Sequence, residues 1–274
     1  MKKYDCIDEE ISYTHRIIDS VPENMNTNHC HDRYEIIFVQ EGSGKYIVEG
    51  VEYPVHARTI MIFPPLVYHC VSIDAHSKYE RVVLFFEKNA VIDSIAQVFG
   101  TLSELSMPAG SFYSADSISD TMVGLFDKFE LSDNVPEPER HLYRRLILAE
   151  LILLLSVSKR ETKYLDEGEI GARVIRYLNE NMYRDLSLDK LAKKFFVSKY
   201  YLCRAFKKHN GISIHGYINN KRVIYAKQLI ESGETASVAA YKAGFGDYSA
   251  FYRAYVKLVG NAPTASHSFS EVRR

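Results

Sequence analysis

Two histidines and a glutamate lie close together in the stretch NHCHDRYEIIFVQEG, near the start of the chain. His29, His31 and Glu35 have the spacing H-x-H-x3-E, and a third histidine, His69, follows in FPPLVYHCV. Imidazole nitrogens and carboxylate oxygens are ligands of iron, manganese, nickel and zinc. The spacing therefore raises the question whether these residues form a metal site or only begin a β-strand.

The apolar run YEIIFV in the same stretch predicts a strand, because β-branched and aromatic residues alternate there with the period of a pleated sheet. On a strand that includes them, His29, His31 and Glu35 would share one face, since alternate side chains point the same way. His69 would have to come from a second element to join them. Nothing local decides whether a metal is present.

The rest of the chain divides into segments in which apolar residues recur with different spacings. Residues 29–88 contain short apolar runs between turn signals, which predicts an all-β sandwich or small barrel. Residues 115–158 show helical spacing, interrupted by the acidic loop DNVPEPE with its two prolines. The polar stretch 159–168 is the predicted linker. A chain of 274 residues is long enough for two domains, which we place at 1–158 and 169–267.

The helix predicted from His141 to Val157 is apolar on nearly every side. Such a helix must be buried against other parts of the protein, and one barrel could not easily cover all of its faces. We therefore expect a homodimer that forms through the N-terminal domain.

The overall net charge of −1 conceals a division between the two halves of the chain. Residues 1–168 contain 16 Lys and Arg against 27 Asp and Glu, a net of −11, whereas residues 169–274 contain 18 against 8, a net of +10. A basic C-terminal half indicates a nucleic-acid partner. The alternative is a solvated basic face that binds no polyanion.

The four cysteines are scattered without C-x2-C spacing, which argues against a structural zinc knuckle or a disulfide framework and favours a reducing cytoplasm. The first ten residues already carry six charges, unlike a signal peptide. The longest apolar run, Leu146–Val157, is too short to span a bilayer. We expect a cytoplasmic protein without a membrane partner.

Two segments of the basic half resemble each other at an offset of 49 residues, namely SKYYLCRAFKKHNG and DYSAFYRAYVKLVG. Each begins with a residue type that caps helix N-termini, Ser198 or Asp247, and ends on a glycine suited to the position after a helix, Gly211 or Gly260. A shorter helical stretch and a tight turn precede each segment. Two helix-turn-helix units are the natural interpretation.

The segment from LSLDKLAKKFF to LVGNAP resembles the DNA-binding domain of AraC/XylS-type bacterial transcription regulators. The turns around Gly211 and Gly244, and the helix between them, fall in register with that family. Ala236 and Ala239 stand where the family usually has larger aliphatic residues, so we expect the second unit to pack less securely. The resemblance implies double-stranded DNA as a partner, and RNA polymerase is a further expected partner.

The helix predicted between the two units, Ile214–Glu231, would be about 27 Å long, near the ~34 Å spacing of successive major-groove segments. Arg204 and Arg253 are the predicted base readers, because a guanidinium can bind guanine O6 and N7 with two hydrogen bonds. Nearby lysines are expected to bind phosphates. The residues predicted to contact DNA are Lys199, Tyr200, Cys203, Arg204, Lys207, Lys208, Tyr248, Ser249, Tyr252, Arg253 and Lys257.

The histidine-containing stretch and PPLVYH together resemble the two halves of the cupin signature, although Leu66 occupies the place of a usual glycine. Regulators of the AraC/XylS type often have a cupin-like sensing domain. The resemblance therefore implies that His29, His31, Glu35 and His69 bind a small-molecule effector, such as a sugar or related metabolite, without a metal cofactor. Two alternatives remain open, a metal held by the same residues and a barrel with a structural role only.

The sequence thus predicts an α+β protein, with an N-terminal cupin-like β-barrel and flanking helices followed by an all-α domain with two helix-turn-helix units. We expect a transcription regulator rather than an enzyme. The alternative is a metal-dependent cupin enzyme, or a metal sensor, fused to a DNA-binding domain. An effector could act by reordering the N-terminal arm, residues 1–28, or the helix that ends at Val157.

Overall fold

The computed structural model of the chain divides into two compact units. Residues 1–26 and 33–163 belong to the first unit, and residues 27–32 and 164–274 belong to the second. The structure describes residues 2–7, 10–22, 28–104, 111–161, 169–184 and 186–263. Most of the predicted linker, residues 162–168, lies outside the described residues, so the predicted domain boundary there stays a prediction.

Two antiparallel sheets form the framework of the first unit. The strands are β1 (Lys2–Ile7), β2 (Ile11–Ile18), β3 (Tyr34–Glu41), β4 (Gly44–Val48), β5 (Val51–Val55), β6 (Thr59–Phe63), β7 (His69–Ile73), β8 (Tyr79–Phe86) and β9 (Ser111–Tyr113). The six-stranded sheet has the order β1-β2-β8-β3-β6-β9, and the three-stranded sheet has the order β5-β4-β7.

Both faces of the six-stranded sheet contribute apolar side chains, because strands such as β3 contain continuous apolar runs whose successive side chains point to opposite sides. Ile36 and Phe38 of β3 join a core that includes helical residues, whereas Ile37 and Val39 join a core that lies between the two sheets. That second core also contains Tyr46 of β4. The two sheets therefore enclose a packed barrel interior, as the cupin-like fold predicts.

Helices cover the outer face of the six-stranded sheet. They are α1 (Ala96–Glu104), α2 (Asp120–Leu131) and α3 (Glu139–Val157). The Ser119 side chain caps α2 by accepting a hydrogen bond from the Met122 amide. On α3, Leu148 and Leu151 are completely buried in the core shared with the sheet. The sequence analysis had identified α2 and α3 but not α1.

The opposite side of α3 is apolar as well, and it is exposed in a single chain. Leu142, Leu146, Leu153 and Val157 expose 55%, 49%, 42% and 83% of their surface. The helix begins at Glu139, two residues before the predicted start. None of the described helices is long and apolar enough to cross a membrane.

One expectation for the N-terminal region is wrong. The strand begins at Tyr34, so His29 and His31 precede it and do not share a strand face with Glu35. The preceding residues HCHDR lack the β-branched side chains that would continue a strand. Part of the N-terminal arm is a strand of the sheet, because β2 pairs with β8 from Ile11 to Ile18, and its reordering by an effector stays a prediction.

The second unit is helical. Its described helices are α4 (Ile170–Asn181), α5 (Leu188–Phe195), α6 (Lys199–Asn210), α7 (Ile214–Glu231), α8 (Ala236–Lys242) and α9 (Tyr248–Val259). α7 has the bounds predicted from the sequence. The side chains of Ser198 and Asp247 cap α6 and α9, and Gly211 and Gly260 follow these helices with φ of 74° and 87°. The pairs α5–α6 and α8–α9 confirm the two helix-turn-helix units.

Candidate functional site

The first candidate DNA-binding surface is the outer face of α6. Leu202 and Phe206, one helical turn apart, are completely buried and fix the rotation of the helix. That rotation leaves Tyr200 76% exposed and Arg204 exposed, with Cys203 half-buried beside them. The exposed face agrees with the helical-wheel expectation, while contact with DNA stays a prediction.

Positive charge on this face comes from Arg204, Lys207 and Lys208, which are all exposed. Within the described part of the chain, none of the three has an ion-pair partner. Lys199 differs, because its Nζ lies 3.0 Å from Oδ1 of Asp189. The three unpaired cations can therefore meet phosphate oxygens without breaking an existing ion pair.

The second candidate surface is the outer face of α9. Phe251 and Tyr255 are completely buried and orient this helix as the corresponding pair orients α6. The Asp247 carboxylate caps the helix by accepting hydrogen bonds from the amides of Ser249, at 3.1 Å, and Ala250, at 2.8 Å. The exposed side chains predicted to contact DNA here are Tyr248, Ser249, Tyr252, Arg253 and Lys257.

Small residues in and after α8 make room for the aromatic core of the second unit. Ala239 and Ala243 are completely buried in a cluster with Phe245, Phe251 and Tyr255. The ring centroids of Phe245 and Phe251 are 5.3 Å apart, and those of Phe251 and Tyr255 are 5.4 Å apart. The buried alanine at 239, a departure from the family pattern, thus leaves space that aromatic rings fill.

Polar contacts tie α7 to α4 within the second unit. The Asn179 side-chain oxygen accepts hydrogen bonds from the Tyr217 hydroxyl, at 2.8 Å, and from Nζ of Lys221, at 2.7 Å. Nε of Arg222 donates to the Met182 carbonyl, just beyond α4, at 2.9 Å. Neither Asn179 nor Lys221 was predicted from the sequence to make these contacts. Lys221 falls on the buried side of the predicted helix, and that position could have indicated a polar partner.

The turn between α5 and α6 contains an exposed aromatic residue, Phe196. Its side chain is 95% exposed, and its φ of 56° lies in the left-handed region that favours glycine. Sequence reasoning did not single it out, because a Phe-Phe pair at the end of a helix resembles core residues. Only Phe195 of this pair is buried.

The candidate site in the barrel contains a buried contact between a histidine and a carboxylate. Nε2 of His69 lies 2.9 Å from Oε2 of Glu35, and both side chains are almost completely buried. Nδ1 of His69 lies 3.0 Å from the Val67 carbonyl, and the Phe63 ring stacks on the imidazole with centroids 4.3 Å apart. These contacts fix the ring so that Nε2 faces the carboxylate.

Of the four residues predicted to bind an effector, the structure brings two together within the first unit, Glu35 and His69. His29 and His31 lie in the second unit. His29 is exposed, and its ring centroid lies 6.2 Å from that of His31. An imidazole and a carboxylate side by side are donors that fit a divalent transition metal or a polar organic ligand.

Comparison with known proteins matches both units to families. A helix-turn-helix domain matches residues 191–267, and a cupin domain matches residues 18–84. In both domains the chain is similar to the AraC type of transcription regulators. It is a DNA-binding regulator with an N-terminal cupin domain, and the family-level prediction is confirmed.

The similarity to known regulators extends over most of the chain. The chain is 24% identical over 227 residues to the "uncharacterized HTH-type transcriptional regulator YbfI" of Bacillus subtilis, covering 81% of this chain and 80% of that protein. It is 24% identical over 250 residues to the "HTH-type transcriptional activator RhaS" of Mannheimia succiniciproducens, covering 88% and 89%. A similar solved structure is that of ToxT from Vibrio cholerae, with 12% identity, a TM-score of 0.40 and coverage of 94% and 96%.

Proposed function

We propose that this AraC-type regulator reads its operator with the outer faces of α6 and α9 and that a small-molecule effector bound in the barrel controls its activity. The observation that carries the DNA-reading part is the orientation of these two helices. Each is fixed by a fully buried pair of residues that turns an arginine and further polar side chains to the surface. We propose no catalytic role, because the named relatives are transcription regulators.

Arginine and lysine side chains divide the work of DNA binding in this proposal. Arg204 and Arg253 read base edges, since their guanidinium groups can make two hydrogen bonds to guanine. Lys207, Lys208 and Lys257 neutralise phosphates, which positions the helices without conveying sequence. Lys199 would have to exchange its contact with Asp189 for a phosphate, so we assign it a smaller share.

Selection from a pool of random duplexes tests the DNA-reading function. The full-length chain should enrich one sequence family, and fluorescence anisotropy should then show tighter binding to the enriched duplex than to a scrambled duplex of the same composition. Failure to enrich any sequence, together with equal binding to both duplexes, would contradict sequence-specific recognition.

The barrel site supports the effector-sensing part. Glu35 and His69 place polar atoms within a largely apolar interior, and a small number of convergent polar groups in an apolar setting is typical of ligand sites. We propose that these residues and His31 contact the effector. His29 belongs to the original prediction, but its exposure supports a smaller contribution.

A double variant tests this assignment. His31→Ala with His69→Ala should keep DNA binding but change the induction of a reporter gene driven by the selected operator. His29→Ala is the matched control and should respond more nearly like the wild type. A double variant whose induction equals that of the wild type under every growth condition tried would refute the pocket assignment.

A metal sensor is the second candidate function, and the close imidazole and carboxylate of His69 and Glu35, 2.9 Å apart, favour it. Nδ1 of His69 faces the Val67 carbonyl, as the second nitrogen of metal-binding histidines commonly does. Elemental analysis of the purified chain tests this candidate. A stoichiometric transition metal that is lost in His69→Ala would support metal sensing, whereas a metal content that this substitution leaves unchanged would oppose it.

We further propose that α3 forms a homodimer with its copy in a second chain. The outward face of the helix consists of Leu142, Leu146, Glu150, Leu153 and Val157, so four of its five side chains are apolar. The central Glu150 has its carboxylate 3.6 Å from a lysine of α2. In an antiparallel pair related by a two-fold axis near this glutamate, Leu146 of one helix would meet Leu153 of the other.

Analytical ultracentrifugation of the full-length chain tests the dimer. The wild type should sediment as a dimer at micromolar concentration, and Leu146→Glu should shift it to monomer. Leu131→Glu is the control, because Leu131 is 60% exposed but lies at the end of α2. A wild-type chain that stays monomeric at high micromolar concentration would contradict the proposal.

Contact with RNA polymerase is a further proposal, tested by transcription in vitro from the selected operator.

A further inference from the structure

Two arginines lie side by side on the inner face of the six-stranded sheet. Arg81 of β8 is directly opposite Arg16 of β2 in the antiparallel register. Tyr79 and Val83, two residues to either side of Arg81, belong to the core between the sheets, whereas Val82 belongs to the core under the helices. Since side chains alternate along a strand, Arg81 faces the barrel interior, and its direct neighbour Arg16 shares that face.

This pair of positive charges has no compensating anion within the described residues. Like charges directly opposite each other destabilise a sheet. The nearby carboxylates are engaged elsewhere, since Glu41 binds Lys78 and Glu80 binds His15. Nε of Arg81 is inaccessible to solvent and has no hydrogen-bond partner in the described structure. A buried donor without an acceptor is costly, so the arrangement calls for an acceptor from outside the chain.

Two buried tyrosines lie beside the Arg81 side chain. The hydroxyls of Tyr46 and Tyr79 are 2.8 Å apart, and the Arg81 guanidinium carbon lies 5.5 Å from the centre of the Tyr79 ring. Burial, followed by the neighbouring Tyr79, raises the pKa of Tyr46 well above its ordinary value, so its hydroxyl stays protonated. Two phenols share two hydroxyl protons, of which their mutual hydrogen bond uses one. The other proton remains for an acceptor.

We propose that Arg81, Arg16 and the Tyr46–Tyr79 pair bind the anionic group, a carboxylate or a phosphate, of the effector. A guanidinium offers two parallel donors to such a group, and a phenol hydroxyl adds a third. Arg16 is exposed, so the anion reaches Arg81 from the rim of the barrel. This inference rests on the proposed effector-sensing function and names the charge of its ligand.

The position of the anion follows from the charges inside the barrel. Val39 of β3 pairs with Arg81, whereas Glu35 pairs with Phe85 at the other end of the same two strands. Four residues along a strand correspond to about 14 Å. The Glu35 carboxylate would repel an anion at its own end, so the anionic group binds at the arginine end.

Thermal unfolding of the full-length chain tests the inference with benzoate and inorganic phosphate as probes and neutral benzamide as the uncharged control. A probe at ten times its Kd should raise the Tm of the wild type by about 3 °C. Arg81→Leu should remove this increase, because the guanidinium donors are lost. Arg16→Gln, on an exposed position, should weaken probe binding without affecting the fold.

Lys45→Gln is the matched control, because Lys45 neighbours Tyr46 on β4 but is partly exposed and pairs with Glu52 at 2.6 Å. It should keep the wild-type response. A shift with benzoate alone or phosphate alone identifies the anion class. Equal shifts in wild type and Arg81→Leu, or no shift with either probe, would overturn the inference. Sequence-specific DNA binding by the wild type and by Lys45→Gln is measured alongside, so a failure of the anion site is distinguishable from a failure of the proposed function.

Discussion

The two helix-turn-helix units of the second domain have the same outline but hold their recognition helices differently. In the first unit the ring of Phe206 pairs edge-on with Tyr217 of α7, with centroids 5.5 Å apart. In the second unit Phe251 contacts three rings, those of Phe245, Tyr248 and Tyr255, at 5.3–5.6 Å. The second unit thus depends more on aromatic packing than the first.

The exposed faces of the two recognition helices differ in charge, and here the first unit has more of it. α6 presents three cations without ion-pair partners in the described structure, Arg204, Lys207 and Lys208, whereas α9 presents Arg253 and Lys257. We expected the second unit to pack less securely because of its alanines, yet these alanines lie within a cluster of aromatic side chains. The comparison teaches that small residues indicate weak packing only when no larger neighbour fills the space they leave.

The largest effect is expected from the core of the two units. Phe206→Ala and Phe251→Ala should each lower the free energy of unfolding by about 3–5 kcal/mol. Phe251→Ala should cost more, because aromatic pairs contribute roughly 0.5–1.5 kcal/mol each beyond burial and Phe251 makes more of them. Urea unfolding followed by circular dichroism measures both. Tyr241→Ala, at an exposed position, is the control, and a larger loss for Phe206→Ala would reverse the comparison.

The second largest difference between the two units should be in base reading, measured as the loss of operator affinity when an arginine is removed. Arg204→Ala should weaken binding to the selected operator by about 1–3 kcal/mol and relax the preference at one base position. Arg253→Ala should have the smaller effect, because fewer cations support α9 on the DNA. Binding isotherms on cognate and scrambled duplexes measure both losses. Equal losses on the two duplexes for Arg204→Ala would exclude a base-reading role.

Helix capping should give a smaller difference in unfolding free energy, and the cap of the second unit should again contribute more. Ser198 caps α6 through one amide, whereas Asp247 caps α9 through two amides with a carboxylate. Ser198→Ala should cost about 1 kcal/mol of unfolding free energy, and Asp247→Ala up to about 2 kcal/mol. Asp247→Asn keeps the cap and removes the charge, so its loss should fall below that of Asp247→Ala. A Ser198→Ala loss equal to or above the Asp247→Ala loss would show that the second amide adds nothing.

The smallest effect concerns phosphate contacts. Lys208→Ala should weaken binding to cognate and random duplexes equally, because phosphates carry no sequence information. It should also lower the slope of log affinity against log salt by about one unit, since fewer counterions are released. Lys257→Ala makes the same measurement on α9. Isotherms at three salt concentrations decide between phosphate contact and a solvated lysine, for which the slope would not change.

The sequence predicted the second domain better than the first because local signals define its elements. α7 begins after the cap Ser213, and its bounds follow from that cap and from the helical spacing. Gly211 supplies the left-handed residue that ends α6. Caps, periodicity and glycines lie within a few residues of the elements they define, so one sequence suffices to find them.

The barrel depends on pairings between distant residues, which no local pattern reveals. β2 pairs with β8, more than sixty residues away, so the N-terminal segment was not predicted as a strand. The HxHxxxE spacing placed His29 and His31 on a strand that begins only at Tyr34. The arginine pair of β2 and β8 was invisible for the same reason, because only the strand register brings Arg16 and Arg81 together.

The contacts that hold α7 against α4 have a consequence for the DNA as well as for the protein. A continuous helix of 18 residues, fixed by Asn179 and Arg222, leaves the two recognition helices little freedom to change their separation. One additional base pair between two half-sites would move the second half-site by about 3.4 Å and rotate it by roughly 35° around the duplex. The operator of this regulator should therefore tolerate a changed base at many positions more readily than a single inserted one.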